Sequence, residues 1–151
     1  MSGVAPERLP IDDAGAAFLS QALKLDGFFP EFLGEHATKL FPHSGLFIVA
    51  NDFHIIEQGD AGRDLFILYS GHVEIRKSLG NASTTLATLG PGDLLGEIAL
   101  LRDGVRGATA VAMGRVLVFM LAFVDLHYIL TNNAELAEHL KAMARGRLGI
   151  K

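Results

Sequence analysis

One stretch of the chain gathers residue types suited to holding a phosphate: Gly96-Glu97-Ile98-Ala99-Leu100-Leu101-Arg102-Asp103-Gly104-Val105-Arg106-Gly107-Ala108-Thr109. Here a glutamate and an arginine sit close together, flanked by small residues and a short apolar turn. That suits holding a ring-closed phosphate next to a ribose hydroxyl. Such a phosphate spreads one negative charge over two exocyclic oxygens. The planar fork of donors on Arg106 matches that geometry, whereas a lysine there would be a poorer fit. A short helix beginning near Gly96 would aim backbone N–H groups and a positive dipole end at the same anion. Gly96, lacking a Cβ, lets the backbone approach closely. Taken alone, Glu97 and Arg106 also read as a structural ion pair on a loop, a common arrangement that contributes little.

Positioning such a stretch takes a scaffold, and the flanking pattern predicts one. Residues Met1 to Pro10 read as a loose tail. Asp12-Asp13 caps a helix whose apolar residues Ala16, Phe18, Leu19, Leu23 and Leu25 recur at helical spacing, with Gly27 as its end. Phe28 to Leu33 reads as a short apolar turn of helix, and a second helix runs from about Gly34 to Leu40, where Pro42 stops it. From Gly45 the period changes to that of strands: Leu46–Val49, His54–Ile56, Asp64–Tyr69, Val73–Lys77, Thr84–Leu89, Ala108–Met113 and Arg115–Leu121. They are punctuated by Asn51-Asp52, Gly59-Asp60-Ala61-Gly62, Ser70-Gly71, Gly80-Asn81, Gly90-Pro91-Gly92-Asp93 and Gly114. Short strands with glycine turns at near-regular spacing predict a β-roll or jelly roll. Helical pattern then returns in Phe123–Leu130. A last helix is capped by Asn132 or Asn133 and runs to about Arg145, with Leu136, Leu140, Met143 and Ala144 on one face and Gly146 and Gly149 at its end.

The stretch from Gly96 to Thr109 resembles the phosphate-binding cassette of cyclic-nucleotide-binding domains, a family that includes catabolite activators, kinase regulatory subunits and cyclic-nucleotide-gated channels. Gly59-Asp60, Ser70-Gly71, Gly90-Pro91-Gly92-Asp93 and Gly96-Glu97 match family positions, and the resemblance covers about Phe28 to Arg147. It implies an α+β, mainly β fold: an eight-stranded antiparallel roll with N-terminal helices, a short cassette helix and C-terminal lid helices. The expected boundaries are a tail and helix over 1–27 and the domain over 28–147, with the roll over about 45–121 and the last helices over about 122–147. The ligand set implied is Gly96, Glu97, Ile98, Ala99, Arg106, Gly107, Ala108 and Thr109. Arg106 would meet the phosphate, Glu97 would accept from the ribose 2′-hydroxyl, and amides around Ile98, Ala99, Gly107 and Ala108 would complete the cradle. Leu136, Leu140 and Met143 would cap the base, or equally form the buried stripe of a docked helix. Three departures stand out. Asp52 replaces the usual glycine before the second strand and also tolerates a left-handed turn. Val105 replaces the proline before the arginine. Gly107 follows the arginine, where cGMP-selective members often carry a threonine whose hydroxyl bonds guanine; its absence tilts the ligand toward cAMP.

Composition narrows the alternatives. The chain has 151 residues, half of them apolar and 20% charged, which is globular composition with room for one core. Net charge is −4 with no Lys/Arg run, so a nucleic-acid footprint is missing. The chain has no cysteine, consistent with a reducing compartment. No signal peptide stands out, and the most apolar segment, Val116 to Leu130, is interrupted by Asp125 and His127 short of a membrane span. A cytoplasmic protein is expected, without membrane or nucleic-acid partner, acting on an effector protein or domain. The six histidines (His36, His43, His54, His72, His127 and His139) are scattered, without the spacing of a zinc helix, so no metal is expected. Glu135, Glu138 and His139 read as a solvated helix face. Ile56, Leu65, Leu68, Leu95 and Leu100 read as core. No nucleophile elbow or carboxylate pair points to catalysis, and a cupin-like enzyme would need a histidine cluster. The expected role is a ligand sensor; the competing one is a ligand-free roll acting as a protein-interaction module.

Overall fold

The computed structural model describes residues 5–101 and 104–148. Seven strands and four helices follow in the order β1 (Glu7–Leu9), α1 (Asp13–Leu23), α2 (Gly34–Leu40), β2 (Gly45–Val49), β3 (His54–Ile56), β4 (Leu65–Leu79), β5 (Ala82–Leu89), β6 (Leu94–Leu95), a 3-10 helix (Glu97–Leu100), β7 (Thr109–Leu121), α3 (Phe123–Asn132) and α4 (Ala134–Leu148). Pairing is antiparallel throughout, in the order β1-β2-β7-β4-β5, with β3 on β7 and β6 on β4.

The strand count is seven where eight were expected: two pairs of short runs fuse, and two short strands outside the pattern are added. Asp64–Tyr69 and Val73–Lys77 become the single strand β4, which crosses Ser70-Gly71 with shifts of register instead of turning back. Gly71 has φ 90°, and a Cβ there would lie 2.8 Å from the Arg115 carbonyl, so only glycine lets the two long strands stay paired through the kink. Ala108–Met113 and Arg115–Leu121 likewise fuse into β7 across Gly114. Two further strands escaped the pattern. Within the expected loose tail, Glu7–Leu9 pairs with Leu46–Ile48, and Leu94–Leu95 pairs with Phe66–Ile67. Asp52 takes φ 69°, the left-handed turn expected of it.

Alternation along β4, its phase changed by the register shifts between Leu68 and His72, sorts its side chains between two cores. Leu65 and Ile67 face the helices, in a cluster with Leu19, Leu23, Phe119, Leu126, Leu136 and Leu140. Leu68 and Val73 face the roll, packed with Val49, Leu95, Ala110 and Val118. Burying each such leucine contributes roughly 1.5–3 kcal/mol. The helices close the first cluster. Asp12 caps α1 by accepting from the Gly15 N–H at 2.8 Å, as expected. Lys24 in the left-handed region ends the helix, ahead of Gly27. Phe28 to Leu33 forms turns and extended chain instead of helix, Pro30 lacking the N–H that would carry a helix on. Asn133, of the two candidates, caps α4 through its side-chain oxygen and the Leu136 N–H at 3.1 Å. That helix continues through Gly146 to Leu148, since one glycine costs a helix only about 1 kcal/mol; Gly149 lies outside the described residues.

Candidate functional site

Arg106 is held at three points by the turn that precedes β4. Its backbone N–H donates to the Asp60 carbonyl at 2.6 Å, and its own carbonyl accepts from the Gly59 N–H at 2.8 Å. Its side chain reaches under the turn, where Nη2 donates to the Asp64 carbonyl at 2.8 Å. Two glycines make room for the guanidinium. A Cβ on Gly62 would stand 3.5 Å from Nη2, and one on Gly96 would stand 2.5 Å from Nη1. Gly96 has φ 79° and caps the 3-10 helix Glu97–Leu100, which the Ala99 N–H and Gly96 carbonyl close at 3.1 Å. Partial burial pushes the Arg106 guanidinium below its ordinary pKa, an effect opposed by the carboxylates of Asp64 and Asp60. An arginine keeps its charge under such a shift, and the low-dielectric setting strengthens its pull on an incoming anion.

Glu97, 1% exposed, opens the 3-10 helix as the residue after Gly96, the glycine against which the Arg106 guanidinium packs. Ala99 and Leu100 of the same helix are buried as well. Gly107 and Ala108 lead from Arg106 into β7. Thr109 begins that strand, and its hydroxyl accepts from the Gln58 N–H at 3.0 Å, tying the cassette's end to the loop after β3. The expected cap residues lie on α4. Leu136 and Leu140 are 1% and 2% exposed and sit in the helix-side core with Leu100, while Met143 packs at its edge, partly exposed. Helix α4 contacts the 3-10 helix directly. His139 departs from the solvated face assigned to it: its Nε2 lies 2.9 Å from the Leu23 carbonyl and its ring packs against Phe28, because α4 docks on the end of α1.

Immediately after the glycine turn 59–62 come two residues to which the motif pattern assigned no role. Arg63 Nη2 donates to the Ala99 carbonyl at 2.9 Å, and its guanidinium lies 4.0 Å over the Phe123 ring. Asp64 Oδ1 accepts from the Phe123 N–H at 2.8 Å. A charged pair between a glycine turn and a buried strand was the available signal. Their partners, far off in sequence, were not.

A second polar cluster pins the start of α3. Asp125 is 3% exposed and accepts from Ser44 Oγ at 2.7 Å and the His43 N–H at 2.8 Å, and His43 Nδ1 lies 2.7 Å from its other oxygen. Ser44 Oγ in turn accepts from the Ala122 N–H at 2.9 Å. Both Ser44 and His43 point at the carboxylate, so this is a structural knot and not a nucleophile aligned with a base. A 740 Å³ groove between α2 and α3 and a 220 Å³ hollow over Phe47, Phe53 and Phe66 include no cassette residue. Among the described residues no group of acidic or histidine side chains is placed to hold a metal ion, and no helix is long and apolar enough to cross a membrane.

Comparison with known proteins gives the family of the fold. The family model described as cyclic nucleotide-binding domain matches residues 49–133. The cyclic AMP receptor protein of Thermus thermophilus is 39% identical over 95 residues, covering 62% of this chain and 44% of that protein. The cAMP-dependent protein kinase regulatory subunit of Mycosarcoma maydis is 38% identical over 60 residues, covering 40% of this chain and 11% of that protein. A cyclic nucleotide-binding domain from Methylobacillus flagellatus shares the fold, with TM-score 0.75 and 21% identity, covering 94% of this chain and 84% of that one. The chain thus spans less than half the length of these curated relatives. The family is a regulatory, ligand-binding one. With its roll, its cassette helix and its cradled arginine, this chain belongs to the cyclic nucleotide-binding domain family.

Proposed function

We propose that this domain binds a cyclic nucleotide, cAMP in preference to cGMP, and acts as a regulatory sensor. The observation that carries the reading is the Arg106 guanidinium, seated between Gly62 and Gly96, with the buried Glu97 following Gly96 in the chain. Arg106 has five N–H donors and spends one on Asp64, so its fork can take the exocyclic phosphate oxygens. Glu97 accepts from the ribose 2′-hydroxyl, and the backbone around Ile98, Ala99, Gly107 and Ala108 lines the phosphate. The lack of a side chain at Gly107 leaves guanine without a hydroxyl partner there and favours adenine. The named relatives, a cyclic AMP receptor protein and a cAMP-dependent kinase regulatory subunit, support the same ligand.

In this reading ligand binding shifts an equilibrium in the position of α4, which rests on the cassette helix, and a partner protein or domain reads that position. Leu136 and Leu140 hold the helix to the core, which leaves Met143, partly exposed at the core's edge, as the cap residue to meet a base. Calorimetric titration with cAMP and cGMP in parallel, on the parent protein and on Arg106→Ala, tests the reading. Micromolar or tighter binding of cAMP, weaker binding of cGMP and a loss of about ten- to a hundredfold in the variant are expected, from a charge-assisted bond contributing roughly 1.5–3 kcal/mol. No heat with either nucleotide, from folded protein free of co-purified ligand, would favour a protein-interaction module instead.

A further inference from the structure

Four contacts converge on two consecutive residues, and they join the cassette to a helix. From the cassette side, Arg106 Nη2 donates to the backbone carbonyl of Asp64, and the Ala99 carbonyl accepts from Arg63. From the helix side, the Phe123 N–H donates to the Asp64 carboxylate, and the Phe123 ring lies under the Arg63 guanidinium. Phe123 is the first residue of α3, so its N–H is one of the donors a helix cannot satisfy internally. The preceding residue, Ala122, has no capping oxygen on its side chain, and Asp64 supplies one from elsewhere in the chain.

We propose that Arg63 and Asp64 are positioning residues that link the state of Arg106 and of the cassette helix to the first turn of α3. The proposal rests on the cyclic-nucleotide reading above. A phosphate taken by the remaining Arg106 donors pulls on the guanidinium that holds the Asp64 carbonyl. Any shift of that carbonyl moves the peptide whose side chain caps α3. Closure of the cassette helix around the ligand moves the Ala99 carbonyl, and with it the Arg63 guanidinium stacked on Phe123. Both movements reach the same residue. A guanidinium is suited to this because its plane stacks on the ring while its edge donates; a lysine keeps the charge and loses the planar contact.

Amide hydrogen exchange followed by NMR, with and without saturating cAMP, tests the link. The amides read are those of the cassette and those of Phe123, Asp125 and Leu126. In the parent protein, cAMP is expected to protect the cassette and to shift exchange in the first turn of α3 by tenfold or more. In Asp64→Ala and Arg63→Lys the cassette remains protected, while the ligand-induced shift at α3 falls below twofold. Asp64→Asn, which keeps an oxygen acceptor, restores it. Loss of a cap alone would loosen α3 equally with and without ligand, leaving the ligand-induced difference in place. Persistence of that difference in Asp64→Ala or Arg63→Lys would therefore overturn the link, as would an α3 that ignores cAMP in the parent protein. Should Asp64→Ala fail to fold, the Arg63→Lys and Asp64→Asn pair decides. No cassette protection in the parent protein would instead sink the nucleotide reading, and this one with it.

Discussion

Replacing Gly96 by alanine perturbs the site at its narrowest point. The new Cβ would stand 2.5 Å from Arg106 Nη1 and 3.1 Å from the Asp64 carbonyl, against an ordinary contact beginning at 3.4 Å. The guanidinium end, being flexible, must give way by about 0.9 Å (3.4 less 2.5). Its 2.8 Å bond to the Asp64 carbonyl then breaks or re-forms elsewhere, and the fork is turned from its present position. Charge-assisted bonds of this kind contribute roughly 1.5–3 kcal/mol, which corresponds to about ten- to a hundredfold in nucleotide affinity. A second effect falls on stability. The backbone at φ 79° holds an alanine at a cost of about 1–2 kcal/mol, partly offset by the stiffer unfolded chain. A net loss of about 1 kcal/mol lowers Tm by roughly 2–4 °C in a domain of this size. Calorimetric titration with cAMP reads the first effect and differential scanning calorimetry the second. Affinity within twofold of the parent, in a protein whose Tm has fallen as expected, would show that the guanidinium position does not govern binding. The phosphate assignment of Arg106 would then be refuted.

Two further substitutions probe the scaffold. Asp125→Ala leaves Ser44 Oγ and the His43 N–H buried without their acceptor and is expected to cost about 3 kcal/mol in urea unfolding, a loss under 1 kcal/mol contradicting the structural role given to this knot. Leu140→Ala empties a 2%-exposed site in the helix-side core and is expected to cost about 2–5 kcal/mol; unchanged stability with weakened cAMP binding would instead make Leu140 a cap over the base.

Much of this protein was legible in its amino-acid order. Local rules sufficed for the helices, because a cap and an apolar stripe lie within a few residues of each other: Asp12 and Asn133 bond the N–H groups three positions on. The turn glycines and the Gly96–Thr109 cassette are likewise contiguous, so their pattern survives without knowledge of the fold. What failed was of two kinds. At Ser70-Gly71 and Gly114 a glycine reads as a turn, but a glycine with positive φ also permits a kink inside a continuous strand. Only the neighbouring strand's hydrogen bonds choose between the two. Glu7–Leu9 and Leu94–Leu95 are too short to show a period and exist because a partner strand's edge receives them. The assignments that matter most for function were of the non-local kind. That α4 buries Leu136 and Leu140 in the core, that Asp64 caps a helix begun by Phe123, and that Arg106 rests under the 59–64 turn all depend on residues far apart in the chain. Their meeting is an outcome of packing two hydrophobic clusters at once, which a one-dimensional pattern does not encode.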